Sequence, residues 1–165
     1  QKTAYEIYQC GLEFSRVLFR SPPPALHRPA VGQRDKSIEA PGRTSSALAA
    51  ELVQQAAAAA QLEPAAVAAL ASDADQHTAR GPELFGAMLE TLGHLDASED
   101  LRLAGPLCGH LGACGALVTV AMAAELATVR DQPCLALSVS DAHWRAALVV
   151  RPSLPSPPSA VPAAA

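Results

Sequence analysis

The sequence predicts an α/β protein in which a mixed β-sheet is packed with helices. Two observations carry this prediction: helical and strand-like segments alternate between residues 44 and 151, and two apolar strand candidates follow each other at the end of that stretch. Alternating segments form parallel strands joined by helices, whereas two successive strands form an antiparallel hairpin. A sheet that contains both arrangements is mixed, and helices must cover its apolar faces.

The first two elements are a helix and a buried strand. Thr44 or Ser45 can cap an alanine-rich helix that runs through Gln61. The apolar segment VAALAS, which ends at Ser72, is short and is followed by turn residues. Both properties favour a strand over the end of a helix.

The next elements are a helix, a short strand and a long helix. Helical spacing covers residues 83–92, after a proline that fits a first helical turn and before a glycine that ends the pattern. Residues 101–104 form a short strand candidate. Residues 112–130 predict the longest helix, with small residues early and apolar residues at helical spacing later.

The fold ends in a hairpin and is flanked by irregular segments. Residues 133–140 and 144–151 are predicted strands, joined by a tight turn at residues 141–143. Residues 22–43 combine proline, glycine and mixed charge, which predicts a linker or an extended segment that leads into the fold. Residues 152–165 form a Pro/Ala-rich tail that we expect to be disordered.

Composition excludes several classes of function. The chain has 165 residues and a net charge of −4, without a basic stripe, which argues against nucleic-acid binding. Its longest apolar run, residues 65–71, is too short to cross a membrane, and no signal peptide is visible. The four cysteines form no CxxC pair, which indicates reduced thiols. We therefore expect a cytoplasmic protein without a cofactor.

Residues 1–21 differ from the rest of the chain. They hold four of its six aromatic residues, and their sequence resembles a translated sequencing adapter: QKTAYEI and LEFSRVLFRS are similar to frames of library oligonucleotides. The alternative is a genuine amphipathic N-terminal arm. We exclude the segment from the fold and expect the natural product to begin upstream of Pro22.

The segment that carries a family resemblance is residues 109–116, GHLGACGA. It resembles the GH-x-x-GAAG box of β-ketoacyl-ACP synthases, although one residue rather than two separates His110 from the next glycine. The segment ARGPE at residues 79–83 is similar to the family's GD-x-x-E segment, and residues 138–151 resemble its closing glycine-rich hairpin. The resemblance spans residues 32–151.

This resemblance implies the C-terminal half of a thiolase-like fold, in which two similar halves build a five-layer core. The domain would then cover residues 44–151 and be an incomplete fold. Because the missing half would cover apolar faces, we expect the isolated chain to self-associate. The implied partners are acyl carrier protein or acyl-CoA, together with a second synthase subunit in a homodimer or heterodimer.

The family condenses acyl chains with a cysteine nucleophile, two histidines and a lysine. The resemblance assigns the nucleophile to the absent half and the second histidine to His110. It assigns the first histidine to Ser72, with His77 five residues later, and the lysine to Gly105. The glycine positions of the closing loop hold other residues, namely Ser140, Ala142 and His143.

Two functional hypotheses follow from this mapping. The chain is a fragment of a divergent β-ketoacyl-ACP synthase-like protein, in which His110 is catalytic, or a non-catalytic partner subunit, in which His110 is a packed remnant. A weaker alternative is another acyl-CoA-handling thiolase relative. Cys108 and Cys114 flank His110 where the family has small residues, so they do not replace the nucleophile. The enzyme class is therefore left open.

Other polar residues admit simpler interpretations. Asp73 and Asp75 could act as an acid/base pair, but neighbouring turn aspartates more often cap and solvate the backbone. The three loop histidines 77, 110 and 143 fit no zinc spacing. Glu83 resembles a structural acid of the family or is a first-turn helix charge, and Trp144 is a core or interface anchor.

Overall fold

The computed structural model describes residues 23–38, 40 and 44–153. The adapter-like segment 1–21 lies outside the described residues, as does the predicted tail apart from Pro152 and Ser153.

Four helices and six strands form in the described chain. The strands are β1 (Ala25–Leu26), β2 (Ala30–Gln33), β3 (Ala69–Ser72), β4 (Leu101–Leu103), β5 (Cys134–Ser138) and β6 (Trp144–Arg151). The helices are α1 (Ala47–Ala59), α2 (Arg80–Thr91), the four-residue α3 (Gly105–Cys108) and α4 (Gly115–Arg130). Short 3₁₀ turns occur at Pro64–Ala66 and Gly112–Cys114.

The strands form one open, mixed sheet in the order β1-β6-β5-β3-β4, and β2 also pairs with β6. Strand β3 is parallel to β4 and β5, whereas β6 is antiparallel to β5. This arrangement confirms the predicted α/β class, the mixed sheet and the closing hairpin.

Residues 22–43 were predicted as a linker or an extended segment without strands, yet β1 and β2 lie there. Both pair with β6, whose eight residues exceed the five of β5. The outer edge of β6 offers backbone donors and acceptors, and the extended segment satisfies them. A four-residue strand that contains Gly32 and follows Pro29 has too weak a local pattern to be found from sequence.

Helices cover both faces of the sheet. On one face α1 and α2 pack large aliphatic side chains, among them Leu52, Val53 and Leu84, against the sheet. On the other face α4 packs through alanines against small residues of β3 and β5. Small side chains let the axis of α4 come close to the sheet, so close contact replaces side-chain bulk.

The parallel strands fix where a site can form. Because β3, β4 and β5 run in the same direction, their carboxyl ends meet at one edge of the sheet. The segments that follow these ends contain most of the polar residues singled out in the sequence analysis. No helix in the described part of the chain is long and apolar enough to span a membrane.

Candidate functional site

Asp73 joins the end of β3 to the end of β5. It is buried, and its carboxylate accepts hydrogen bonds from the Ser138 hydroxyl (2.6 Å), the Ser140 hydroxyl (2.8 Å) and the backbone amides of Val139 (2.7 Å) and Ser140 (3.1 Å). A Cβ on Gly115 would lie 3.0 Å from Asp73 Oδ2, so α4 begins directly beside this carboxylate. The negative charge is favourable at a helix N-terminus. The first turn of the closing loop is therefore held by Asp73.

The turn interpretation of Asp73 is thus wrong, since it is a buried acceptor for a distant segment. Asp75 behaves partly as predicted, because its Oδ1 accepts from the backbone amide of His77 at 3.0 Å. Its Oδ2 forms an ion pair with Arg80 and lies 3.4 Å from His110 Nδ1. The two aspartates do not share a hydrogen bond, so they do not form the acid/base pair considered from sequence.

His110 is brought to Asp75 and Arg80 by the turn that precedes α4. Gly109 and Gly112 adopt positive φ angles of 70° and 54°, which glycine accommodates without strain. The His110 ring is 57% exposed, and its Nδ1 lies 3.4 Å from Arg80 Nη1. Arg80 and Asp75 are largely buried beneath it. His110 as a site residue stays a prediction, and Arg80, which lies beside it, was given no role from sequence.

Electrostatics fixes Asp75 as the anion of this cluster. Burial on its own raises the pKa of Asp75, but the His77 amide and the Arg80 guanidinium outweigh it and hold that pKa below its usual value. His110 Nδ1 lies 3.4 Å from a donor, Arg80 Nη1, and 3.4 Å from an acceptor, Asp75 Oδ2. A neutral imidazole that accepts from Arg80 at Nδ1 carries its proton on Nε2, whereas one that donates to Asp75 carries it on Nδ1.

The other positions that the resemblance singles out make local contacts or are closely packed. Ser72 is buried at the end of β3, and its hydroxyl accepts from the Ala74 amide at 3.2 Å. His77 accepts at Nδ1 from the Ala79 amide at 3.3 Å, which leads the chain into α2. A Cβ on Gly105 would meet Ala74 O at 2.3 Å and Asp75 Cα at 2.4 Å. Backbone therefore fills the space that a lysine at position 105 would need.

The closing loop is fixed to neighbouring segments. The Arg34 amide donates to His143 O at 2.8 Å, and the Ile38 amide donates to Ala142 O at 2.9 Å. The Asp141 carboxylate accepts the amides of His143 and Trp144, both at 2.8 Å. His143 is held through its backbone in this turn. No metal-binding group of three or more His, Cys, Asp or Glu residues occurs in the described chain.

The cysteines near His110 differ from the one in the sheet. Cys108 and Cys114 are exposed, whereas Cys134 is buried in β5. Burial raises the pKa of the Cys134 thiol to about 11. Such a thiol is a packing group and not a nucleophile at neutral pH.

Beside the closing loop lies an open cleft of about 210 Å³, lined by apolar residues of β2, α4 and β6 and by the start of the loop. Trp144 is half exposed at its rim, so the core alternative for it is wrong and the interface alternative stays a prediction. Arg145 lines the cleft, but its guanidinium is bonded to Glu83. The cleft offers apolar surface next to the Asp73 cluster.

No family model matches this chain, and no curated protein is significantly similar to it.

Proposed function

We propose that this chain is the thiolase-like half of a divergent β-ketoacyl-ACP synthase-like protein of fatty-acid or polyketide biosynthesis. The observation that carries the proposal is His110, whose Nδ1 lies 3.4 Å from both Arg80 and Asp75 at the carboxyl edge of the sheet and whose ring is 57% exposed. The order of the histidine turn, α4 and the closing hairpin agrees with the order of the family's motifs.

In this proposal His110 donates a hydrogen bond. The Nε2–H group offers a partner to the oxygen that becomes negative when malonyl-ACP loses carbon dioxide and forms an enolate. In this tautomer Nδ1 accepts from Arg80, and Asp75 is the anion that pairs with Arg80. The cysteine that would take the acyl chain as a thioester comes from the other half of the protein.

The outer surface of α4 supports the need for a second half. Its sixteen residues include only two charged ones, Glu125 and Arg130, and its outward Leu117 and Val129 are 71% and 72% exposed. A helix that is apolar around its whole circumference is typically buried on all sides. We propose that the missing half covers this helix.

A non-catalytic partner subunit is the second candidate. Three observations favour it: the Ser72 hydroxyl is used in a turn, Gly105 is packed against backbone, and Asp73 holds the closing loop. A subunit with these features would pair with an active synthase and shape its acyl cavity.

Recovery of the parent reading frame upstream of Pro22 tests both candidates. The full-length product is expressed and assayed for decarboxylation of malonyl-ACP, beside His110→Ala and Arg80→Met variants. An upstream half with a nucleophilic cysteine, and activity that both variants reduce, supports the synthase. An upstream half without that cysteine supports the partner subunit, and an upstream sequence without any similar half overturns both.

A further inference from the structure

An apolar groove lies on the outer side of α2, away from the candidate site. Its cavity of about 280 Å³ is lined by one face of α2 and by the loop that follows, at Phe85, Met88, Leu89, Leu92, Gly93, Leu95 and Ala97. Phe85 and Leu89 lie one helical turn apart and are 46% and 80% exposed. The groove therefore presents two large apolar side chains to solvent.

The surroundings of this groove are acidic. Residues 81–101 contain five carboxylates and no lysine or arginine. Two of these carboxylates are paired, Glu83 with Arg145 and Asp100 with Arg130. The other three, Glu90, Asp96 and Glu99, are exposed next to the lining residues. A partner for this groove must bring positive charge around an apolar centre.

The groove is separate from the surface that the missing half would cover. Helix α2 packs in the large-residue core on one face of the sheet, and α4 packs in the alanine core on the other face. One docking event on α4 therefore leaves the groove on α2 open. A second copy of the chain is a poor occupant of this acidic groove. The exposed apolar surface of α4 carries the acidic Glu125, and Arg130, the basic residue of that helix, is already paired with Asp100.

We propose that the α2 groove binds an amphipathic helical segment of a partner protein, which places two large apolar side chains one turn apart in the groove and lysine or arginine along its flanks. In helix-in-groove recognition the bound helix carries its apolar anchors at positions three, four and seven residues apart. The acidic rim selects the basic partner and repels acidic ones.

A pair of model peptides tests the proposal. Both are labelled amphipathic helices of about 18 residues with the same leucine positions, one with lysine and one with glutamate on the polar face. Fluorescence anisotropy with the full chain is expected to show saturable binding of the lysine peptide only. Leu89→Ser is expected to weaken it about tenfold, as loss of a central anchor does. Glu90→Lys with Glu99→Lys is expected to weaken it further and to admit the glutamate peptide.

Matched variants on α4 provide the control. Leu117→Ser removes an equally exposed leucine and Glu125→Lys reverses an exposed charge, and neither is expected to change peptide binding. Circular dichroism checks that each variant is folded. Binding that ignores Leu89→Ser, or that responds equally to Glu125→Lys, overturns the proposal. If the chain self-associates and Leu89→Ser abolishes this while Leu117→Ser does not, the groove binds a second copy of the chain. That result would also overturn the proposal. Neither result bears on His110.

Discussion

Arg145 and Glu83 form a fully buried, bidentate ion pair between β6 and α2. Arg145 Nε donates to Glu83 Oε1 at 2.8 Å, and Nη2 donates to Oε2 at 2.9 Å. Arg145 Nη1 also donates to the carbonyl oxygens of Asp141 and Trp144, and Arg34 Nη1 lies 2.8 Å from Glu83 Oε2. The Glu83 carboxylate thus ties α2 to β6 and to the segment after β2, and its partner Arg145 also binds the hairpin turn.

Removal of this carboxylate is expected to be costly. Glu83→Ala leaves the Arg145 charge buried without a counter-ion, which typically costs about 3–5 kcal/mol of unfolding free energy. Urea denaturation measures the loss. Glu90→Ala, an exposed change on the same helix, is the control and is expected to stay within about 0.5 kcal/mol of the wild type. Equal effects of the two changes would show that the buried pair contributes nothing specific.

The order of the main elements from α1 to β6 could be predicted because local signals specify it, whereas β1, β2 and the four-residue α3 were missed. The stripe Gly115, Thr119, Ala123 and Ala127, at intervals of four, is the buried face of α4. The hairpin was predicted correctly, but its connection covers residues 139–143 rather than the predicted 141–143. Asp141 supplies the side-chain acceptor that such turns use.

The candidate site could be predicted only in part, because its contacts join distant segments. Arg80 and His110 are thirty positions apart, and Asp73 and Ser140 are sixty-seven apart. No local pattern distinguishes a turn aspartate from one that accepts four hydrogen bonds across a sheet edge. The motif resemblance identified His110 but could not indicate that Arg80 lies beside it.

Gly105 is expected to tolerate no side chain. A Cβ there would overlap the backbone at Ala74 and Asp75, so Gly105→Ala must displace the turn that holds Asp75. We expect a loss of about 1–3 kcal/mol, as for other overpacked sites. Gly81→Ala is the matched control, because no atom lies within 4 Å of its Cβ. That change in the first turn of α2 is expected to stabilise the protein by about 0.5–1 kcal/mol. The reverse ranking in thermal melts would contradict the packing argument.

Thiol reactivity is expected to separate the cysteines by position. Iodoacetamide near pH 8 should modify exposed Cys108 and Cys114, whereas Cys134 reacts only after unfolding, because burial raises its pKa to about 11. Peptide mass mapping with and without urea measures both states. Rapid modification of Cys134 in the folded protein would place β5 in a solvent-accessible position and contradict the sheet order.

Acid is expected to destabilise the fold through its turn aspartates. The Arg130 hydrogen bond lowers the pKa of Asp100, and the Trp144 and His143 amides lower that of Asp141. The pKa of each aspartate in the folded protein lies below the usual 3.8. Their contribution to the free energy of unfolding is therefore complete above the usual pKa and is lost as pH falls through the folded pKa. Urea midpoints between neutral pH and pH about 3 measure this fall. Asp100→Asn should make the urea midpoint fall less steeply with decreasing pH. An unchanged pH dependence would show that Asp100 does not contribute to acid destabilisation.

Self-association is expected to depend on α4. Exposed Leu117 and Val129 lie on a helix with apolar residues around its whole circumference, so two chains that bring these surfaces together remove apolar area from water. Size-exclusion chromatography should therefore show the wild type as an oligomer or aggregate, and Leu117→Ser with Val129→Ser should shift it towards monomer. Leu89→Ser removes a comparably exposed leucine from the opposite layer and should leave the elution unchanged. A monomeric wild type that melts cooperatively would mean that α4 needs no cover, and the argument for a missing half would then lose its structural support.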